Sequence, residues 1–269
     1  MPDRRLAASR KRRAGTDVVC EWVFRPLAHP LVLALLPLRV PPPAVVAAAT
    51  CAGLAGAVEI GRHEFLAAAL VLQLKTVLDN ADGQLARLAG RMTVLGRYLD
   101  SESDLVVNAA LFAALGIWIG PVLALVGFAA LTLVLSVNFN LERLYRRERG
   151  ESATAMPDAD GVAAALARVY ALVYAPQDRL VEAYVRRRLR DRPRDARLAW
   201  HDGFTVGVLA NFGLSPQLAA LGLCLALGRP ATYVYAVCGC ALVLAPLAAL
   251  RELLARRAVR GLEPLVVLD

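Results

Sequence analysis

The chain has 269 residues, 58% of them hydrophobic and only 6% aromatic, beside 20% charged residues and a mean hydropathy of +0.50. That split composition excludes a disordered chain, a collagen-like repeat and a small disulfide scaffold, and describes a membrane protein with charged loops. The net charge of +8 is almost wholly arginine, since Lys11 and Lys75 are the only lysines; the arginines gather at the ends of apolar runs, which assigns them to membrane orientation and lipid head groups rather than to nucleic acid.

Residues 1–42 form a basic N-terminus, with Arg4, Arg5, Arg10, Arg12 and Arg13, followed by a juxtamembrane segment. No short apolar run with a small-residue cleavage site follows the basic start, so it does not read as a signal peptide. Val18–Leu38 mixes Trp22, Phe24, Leu27 and a Leu-rich run with Arg25, His29 and Pro30, the pattern of a helix lying in the membrane interface. Residues 43–145 then hold four apolar runs, Pro43–Ile60, Phe65–Ala86, Leu99–Trp118 and Pro121–Leu141. Each approaches the roughly 20 apolar residues that a span needs.

Residues 146–203 form a polar insertion. Within it Gly161–Leu189 is helix-prone and amphipathic, and a basic run of arginines from Arg186 to Arg197 follows. Two roles fit: a surface helix held by anionic lipid, or a lid that selects the acceptor. Residues 204–269 hold the last two runs, Phe204–Leu227, which contains Pro216, and Ala231–Leu250, with a basic tail. The expected architecture is therefore an all-α polytopic membrane protein with six transmembrane helices and an N-terminal interfacial helix.

Arginine distribution orients it. Arg87, Arg91, Arg97, Arg143, Arg146, Arg147 and Arg149 fall on the same side as both termini, while the opposite ends carry little beyond Arg62 and Arg229. The positive-inside rule puts both termini in the cytoplasm, in agreement with an even number of spans. The five cysteines (Cys20, Cys51, Cys224, Cys238, Cys240) lack metal-ligand spacing and read as small buried apolar residues in a reducing compartment.

The informative stretch lies across the second and third runs, where four aspartates stand at membrane depth. Asp79, Asp82, Gly83 and Ala86 are spaced i, i+3, i+4 and i+7, and so share one helix face. Gly96, Asp100, Asp104 and Asn108 recur every four residues and share a face of the next helix. The short loop between the runs makes the helices antiparallel neighbours whose acidic faces can meet. Asp79 lies about fourteen residues into its run, roughly 21 Å at about 1.5 Å per residue, which puts the carboxylates in the cytoplasmic third of the membrane.

Ionised carboxylates at that depth cost a few kcal/mol each and are functional by default. Oxygen ligands without His or Cys suit Mg²⁺ or Mn²⁺, and four carboxylates can hold two such ions, a recurrent device for phosphoryl chemistry. Gly83 and Ala86 leave the acidic face unobstructed, and Arg87 at its cytoplasmic end can contact a phosphate through paired hydrogen bonds. Lys75, one turn before Asp79, admits two roles: a local ion pair, or a phosphate contact.

The full pattern, D-x2-D-G-x2-A-R-x8-G-x3-D-x3-D, occupies Asp79, Asp82, Gly83, Ala86, Arg87, Gly96, Asp100 and Asp104. It resembles the signature of the CDP-alcohol phosphotransferase family, with every fixed position present, and the resemblance extends over about residues 20–145. In that family a hydroxyl of an acceptor alcohol attacks the β-phosphorus of a CDP-linked donor and expels CMP. The resemblance implies that Asp79, Asp82 and Asp100 are the main ligands of two Mg²⁺ or Mn²⁺ ions, and that Asp104, touching the metal cluster, acts as general base. It further implies that Gly83, Ala86, Arg87 and Gly96 form the CDP site, and that the protein is a homodimer. The family's first-span threonine has no counterpart directly after Pro43, where Ala44 to Ala47 follow and the nearest is Thr50. His201 and Asp202 open the fifth run and Asn211 lies within it, either as a helix-end polar cluster or within reach of the acceptor.

Three functions are consistent with these residues. The first is a membrane phosphatidyltransferase that uses CDP-diacylglycerol and a small polar alcohol, since a lipid donor explains carboxylates at membrane depth. The second is a relative that takes a soluble CDP-alcohol, or a phosphorylated inositol or sugar as acceptor. The third, a divalent-cation transporter, would continue its polar residues through the membrane. The fourth and sixth runs are almost wholly apolar, which speaks against it.

Overall fold

A computed structural model describes residues 14–151, 168 and 175–259. The expected basic N-terminal run, the first half of the amphipathic insertion and the basic C-terminal tail lie outside the described residues. Within them every regular element is helical. A π-helical turn, Cys20–Phe24, leads into α1 (Arg25–Leu35). Then come α2 (Pro42–Gly61), α3 (Phe65–Leu88), α4 (Val94–Ile119) and α5 (Pro121–Glu148). The remaining helices are α6 (Ala175–Leu189), α7 (Arg194–Trp200), α8 (Gly203–Ala210), α9 (Leu214–Ala226) and α10 (Pro230–Val259).

Local chemistry accounts for most of the boundaries. Prolines at the first turns of α2 and α5 start those helices where a missing N–H costs nothing. Gly90 closes the end of α3 with φ of 63°, and the next residue's N–H reaches back to the Ala86 carbonyl at 2.9 Å. Thr93 caps α4, its hydroxyl accepting from the Gly96 N–H at 3.0 Å.

Among the described residues, five stretches are long and apolar enough to cross a membrane: Pro42–Gly61, Tyr98–Ile119, Pro121–Glu148, Arg194–Ala226 and Pro230–Val259. The sixth expected span is α3. It has the length, 24 residues, but carries three charged residues, Lys75, Asp79 and Asp82, within its apolar stretch. The fifth run, expected as one helix over Phe204–Leu227, is divided. It breaks between Ala210 and Leu214, with Gly213 as the N-cap of α9 and Pro216 in its first turn.

Helices α2, α3, α4, α5, α9 and α10 share one core built on Leu72, Leu111, Leu115, Leu131, Leu221 and Val234. A smaller core joins α1 to α2 and α3 through Ala28, Val32, Val45, Ala81 and Leu85. A third ties α6 and α7 to the ends of α5, α8 and α10 through Leu141, Val185, Ala196, Trp200 and Leu209. Association in lipid depends on close packing more than on apolar burial. Gly53 and Gly56 supply it, because a Cβ there would meet Val107 of α4 at 2.5 Å and Leu72 of α3 at 2.8 Å. α2 is thus wedged against both helices of the acidic pair.

The outer faces expose Leu70, Val122, Leu125 and Leu242, as a lipid-facing surface does, and the N-terminal helix exposes Trp22 and Leu27 on one side. No disulfide joins any of the five cysteines. Cys20 is buried as expected, but Cys51 is exposed and Cys224, Cys238 and Cys240 are half-buried. In a bundle solvated by lipid, an apolar residue gains little by turning inward.

Candidate active site

Helix α3 presents Lys75, Asp79, Asp82, Gly83, Ala86 and Arg87, and α4 presents Gly96, Asp100 and Asp104. Carboxylate oxygens of Asp79, Asp82 and Asp100, one from each, lie within 4.8 Å of one another. Asp82 is buried, and its Oδ2 has no hydrogen-bond partner. Asp104 stands beside this trio rather than inside it. Lys75 joins the two groups: its ammonium pairs with Asp79 on its own helix and with Asp104 across the helix pair at 2.5 Å. Of the two roles open to Lys75, the local ion pair is the one present, and the residue is only 1% exposed.

Two unit charges at such a separation repel by roughly 3–4 kcal/mol at an effective dielectric of about 20. Three converging carboxylates, together with Asp104, exceed what one ammonium can offset. The cluster therefore calls for further positive charge, and the unpartnered Asp82 oxygen is a ready ligand. An all-oxygen donor set of this kind fits a hard divalent ion such as Mg²⁺ or Mn²⁺.

The residues expected at the nucleotide flank this cluster. The Arg87 guanidinium folds back over Gly83, so that a Cβ at Gly83 would sit 3.3 Å from Nη1. The face beside Asp82 is thus covered by Arg87 and not left open, and Gly83 makes the room for it. Ala86 is half-buried one turn on. Gly96 lies in the first turn of α4, fixed by the Thr93 cap.

The reverse face of α3 is what holds the acidic face in place, and sequence reasoning passed it over. Asn80 donates to the Thr76 carbonyl at 2.8 Å and to Ser215 of α9 at 3.4 Å, and accepts from the Cys20 thiol at 2.9 Å. Gln84, fully buried, donates to the Arg25 carbonyl at 3.1 Å and meets His29 Nδ1 at 3.3 Å. These two amides, four residues apart and on the same side of α3 as Gln73, which donates to the Leu218 carbonyl of α9 at 3.2 Å, were the available signal. They lock α3 rotationally against the N-terminal helix and α9.

Other candidates serve structure. The Thr50 hydroxyl donates to the Val46 carbonyl at 2.8 Å within its own helix. Asp202 caps α8, accepting from the Thr205 N–H at 2.8 Å and from its hydroxyl at 2.6 Å. Asn211, at the break in the fifth run, fastens the N-terminal strap: its amide donates to the Thr16 carbonyl at 2.9 Å and its oxygen accepts from the Val18 N–H at 3.0 Å.

Comparison with known proteins agrees with this arrangement. The family described as CDP-alcohol phosphatidyltransferase matches residues 28–184, more than half of the chain and the whole of the acidic helix pair. A phosphatidylinositol phosphate synthase of Streptomyces avermitilis is 33% identical over 96 residues. That match takes in 35% of this chain and 39% of the relative, so the chain spans well under half of the relative's length.

Proposed function

The chain belongs to the CDP-alcohol phosphatidyltransferase family, and on that premise we propose that it transfers a phosphatidyl group from CDP-diacylglycerol to the hydroxyl of a polar alcohol and releases CMP. One observation carries this reading: the convergence of Asp79, Asp82 and Asp100 with an orphaned oxygen on Asp82, at the end of an apolar helix bundle.

Asp79, Asp82 and Asp100 would hold two divalent ions, Mg²⁺ or Mn²⁺, whose charge would offset that of the donor's diphosphate and favour the departure of CMP. Arg87 swings from its place over Gly83 to bind a donor phosphate by paired hydrogen bonds, and Gly83, so uncovered, lets the nucleotide approach the backbone together with Ala86 and Gly96. Asp104 takes the proton from the attacking hydroxyl as its oxygen forms the new bond to phosphorus. Lys75 holds the Asp104 carboxylate in place until the acceptor arrives. The enzyme is proposed to lie in the cytoplasmic membrane as a multi-pass homodimer, with both termini and the site on the cytoplasmic side, as the arginine distribution supports.

For the acceptor, the name of the Streptomyces relative favours a second, narrower reading. A phosphatidylinositol phosphate product requires a phosphorylated inositol in place of a neutral alcohol. Purified protein in mixed micelles with CDP-diacylglycerol, a panel of alcohols including inositol phosphate, and Mg²⁺ or Mn²⁺ tests both. CMP release that depends on one acceptor and stops with a chelator is expected. No turnover with any CDP-alcohol donor in either metal would overturn the reading.

A further inference from the structure

Away from the aspartates, the ends of α5, α6, α7, α8 and α10 enclose a cleft of about 290 Å³. Its walls are aliphatic and aromatic, with Leu141, Leu180, Tyr184, Leu209 and Leu247 among them, yet Arg251 of α10 also lines it. Arg251 is 1% exposed, and none of its three guanidinium nitrogens has a hydrogen-bond partner among the described residues. Its guanidinium carbon lies over the ring of Trp200, 5.1 Å from the ring centre.

The carboxylates nearby are already engaged. Asp202 attracts Arg251 electrostatically, but both of its oxygens accept from Thr205. Glu252 is paired with Arg192 and Arg256. The neighbouring His201 feels Arg149 and Arg197 as well as Arg251, so this end of the bundle is rich in positive charge. Asp202 offers charge but no hydrogen bond, and a buried guanidinium in apolar walls with all its nitrogens unbonded is unfavourable, so the cleft asks for a negative group that can bond it directly and that hydrocarbon can accompany. A second cleft, sharing Tyr184, is lined by Arg187, Arg188 and Arg192 and adds positive potential on the same side.

We infer that this cleft is a docking site for an anionic phospholipid of the surrounding membrane, separate from the acidic centre. The lipid phosphate pairs with Arg251, and an acyl chain lies along Leu141, Leu180, Leu209 and Leu247. An apolar wall selects an amphiphile over free phosphate, and the guanidinium selects an anionic head group over a zwitterionic one.

Trp200 reports on the site directly, because it lines the cleft and touches Arg251. With Trp22 and Trp118 replaced by Phe, it is the only tryptophan left in the chain. Full-length protein is reconstituted in nanodiscs that contain phosphatidylglycerol or phosphatidylcholine with identical brominated chains. The expected result is at least twofold stronger quenching of Trp200 by brominated phosphatidylglycerol, with no competition from millimolar inorganic phosphate. Arg251→Met abolishes that excess and Arg251→Lys retains it. Leu180→Asp, at an exposed position on the cleft wall, also abolishes it without disturbing the core. Equal quenching by the two lipids, an undiminished excess in both Arg251→Met and Leu180→Asp, or displacement by free phosphate would each overturn the inference. The assay uses neither donor, acceptor nor metal, so its failure leaves the transfer reading intact, and failure of transfer leaves this site intact.

Discussion

Replacing Lys75 with methionine keeps the aliphatic stem of the side chain but removes the cation shared by Asp79 and Asp104. Breaking a buried pair by deleting one partner costs about 3–5 kcal/mol, because the other charge is left uncompensated. The carboxylate side chains are 18% and 23% exposed, so partial screening places the expected loss at the low end, about 3 kcal/mol. That is about two orders of magnitude in the unfolding equilibrium. The loss should depend on metal. With a chelator present, Lys75→Met should show the full destabilisation; with saturating Mn²⁺ the added charge should recover most of it, and the metal-induced rise in Tm should exceed that of the wild type. Thermal unfolding in detergent, with and without Mn²⁺, measures both quantities. An equal loss in the two conditions, or a loss below about 1 kcal/mol without metal, would refute the claim that Lys75 offsets a carboxylate cluster able to bind cations.

Asp104→Asn should leave the fold intact, since the amide oxygen can still accept from Lys75. It should nevertheless lower CMP release by about 10²–10⁴-fold while divalent-ion binding, followed by Mn²⁺ titration, stays close to that of the wild type. Gly127→Val should destabilise the bundle by about 1–3 kcal/mol, read as a lower Tm in detergent. A Cβ there already meets Val234 at 2.6 Å and Phe112 at 2.7 Å, so α4, α5 and α10 cannot keep their spacing.

Much of the site could be read before any coordinates, for a physical reason. Asp79 and Asp82 recur at helical spacing, Asp100 and Asp104 do likewise, and a short connection turns the chain back so that the two acidic faces can meet. What could not be read was pairing that depends on the register between helices. Lys75 and Asp104 are 29 residues apart, and only the wedge of α2 against α3 and α4 brings them together. The break at Asn211 to Gly213 was marked by Asn211, Gly213 and Pro216, but the apolar residues on both sides of it read as one span. Arg251 is the sharpest case. In a sequence it is one more arginine at the end of an apolar run, and nothing local distinguishes a solvated charge from one sealed against Trp200. Cys51 teaches the converse, since in lipid an apolar residue can face outward.

The central claim is that carboxylates of α3 and α4 converge to hold a pair of divalent ions. Anomalous diffraction from crystals grown with Mn²⁺ tests it most directly. Two manganese positions among Asp79, Asp82 and Asp100, with the Asp82 oxygen that now lacks a partner serving as a ligand, is the predicted result. Side chains in the same places with no manganese between them, or manganese bound elsewhere in the molecule, would contradict it.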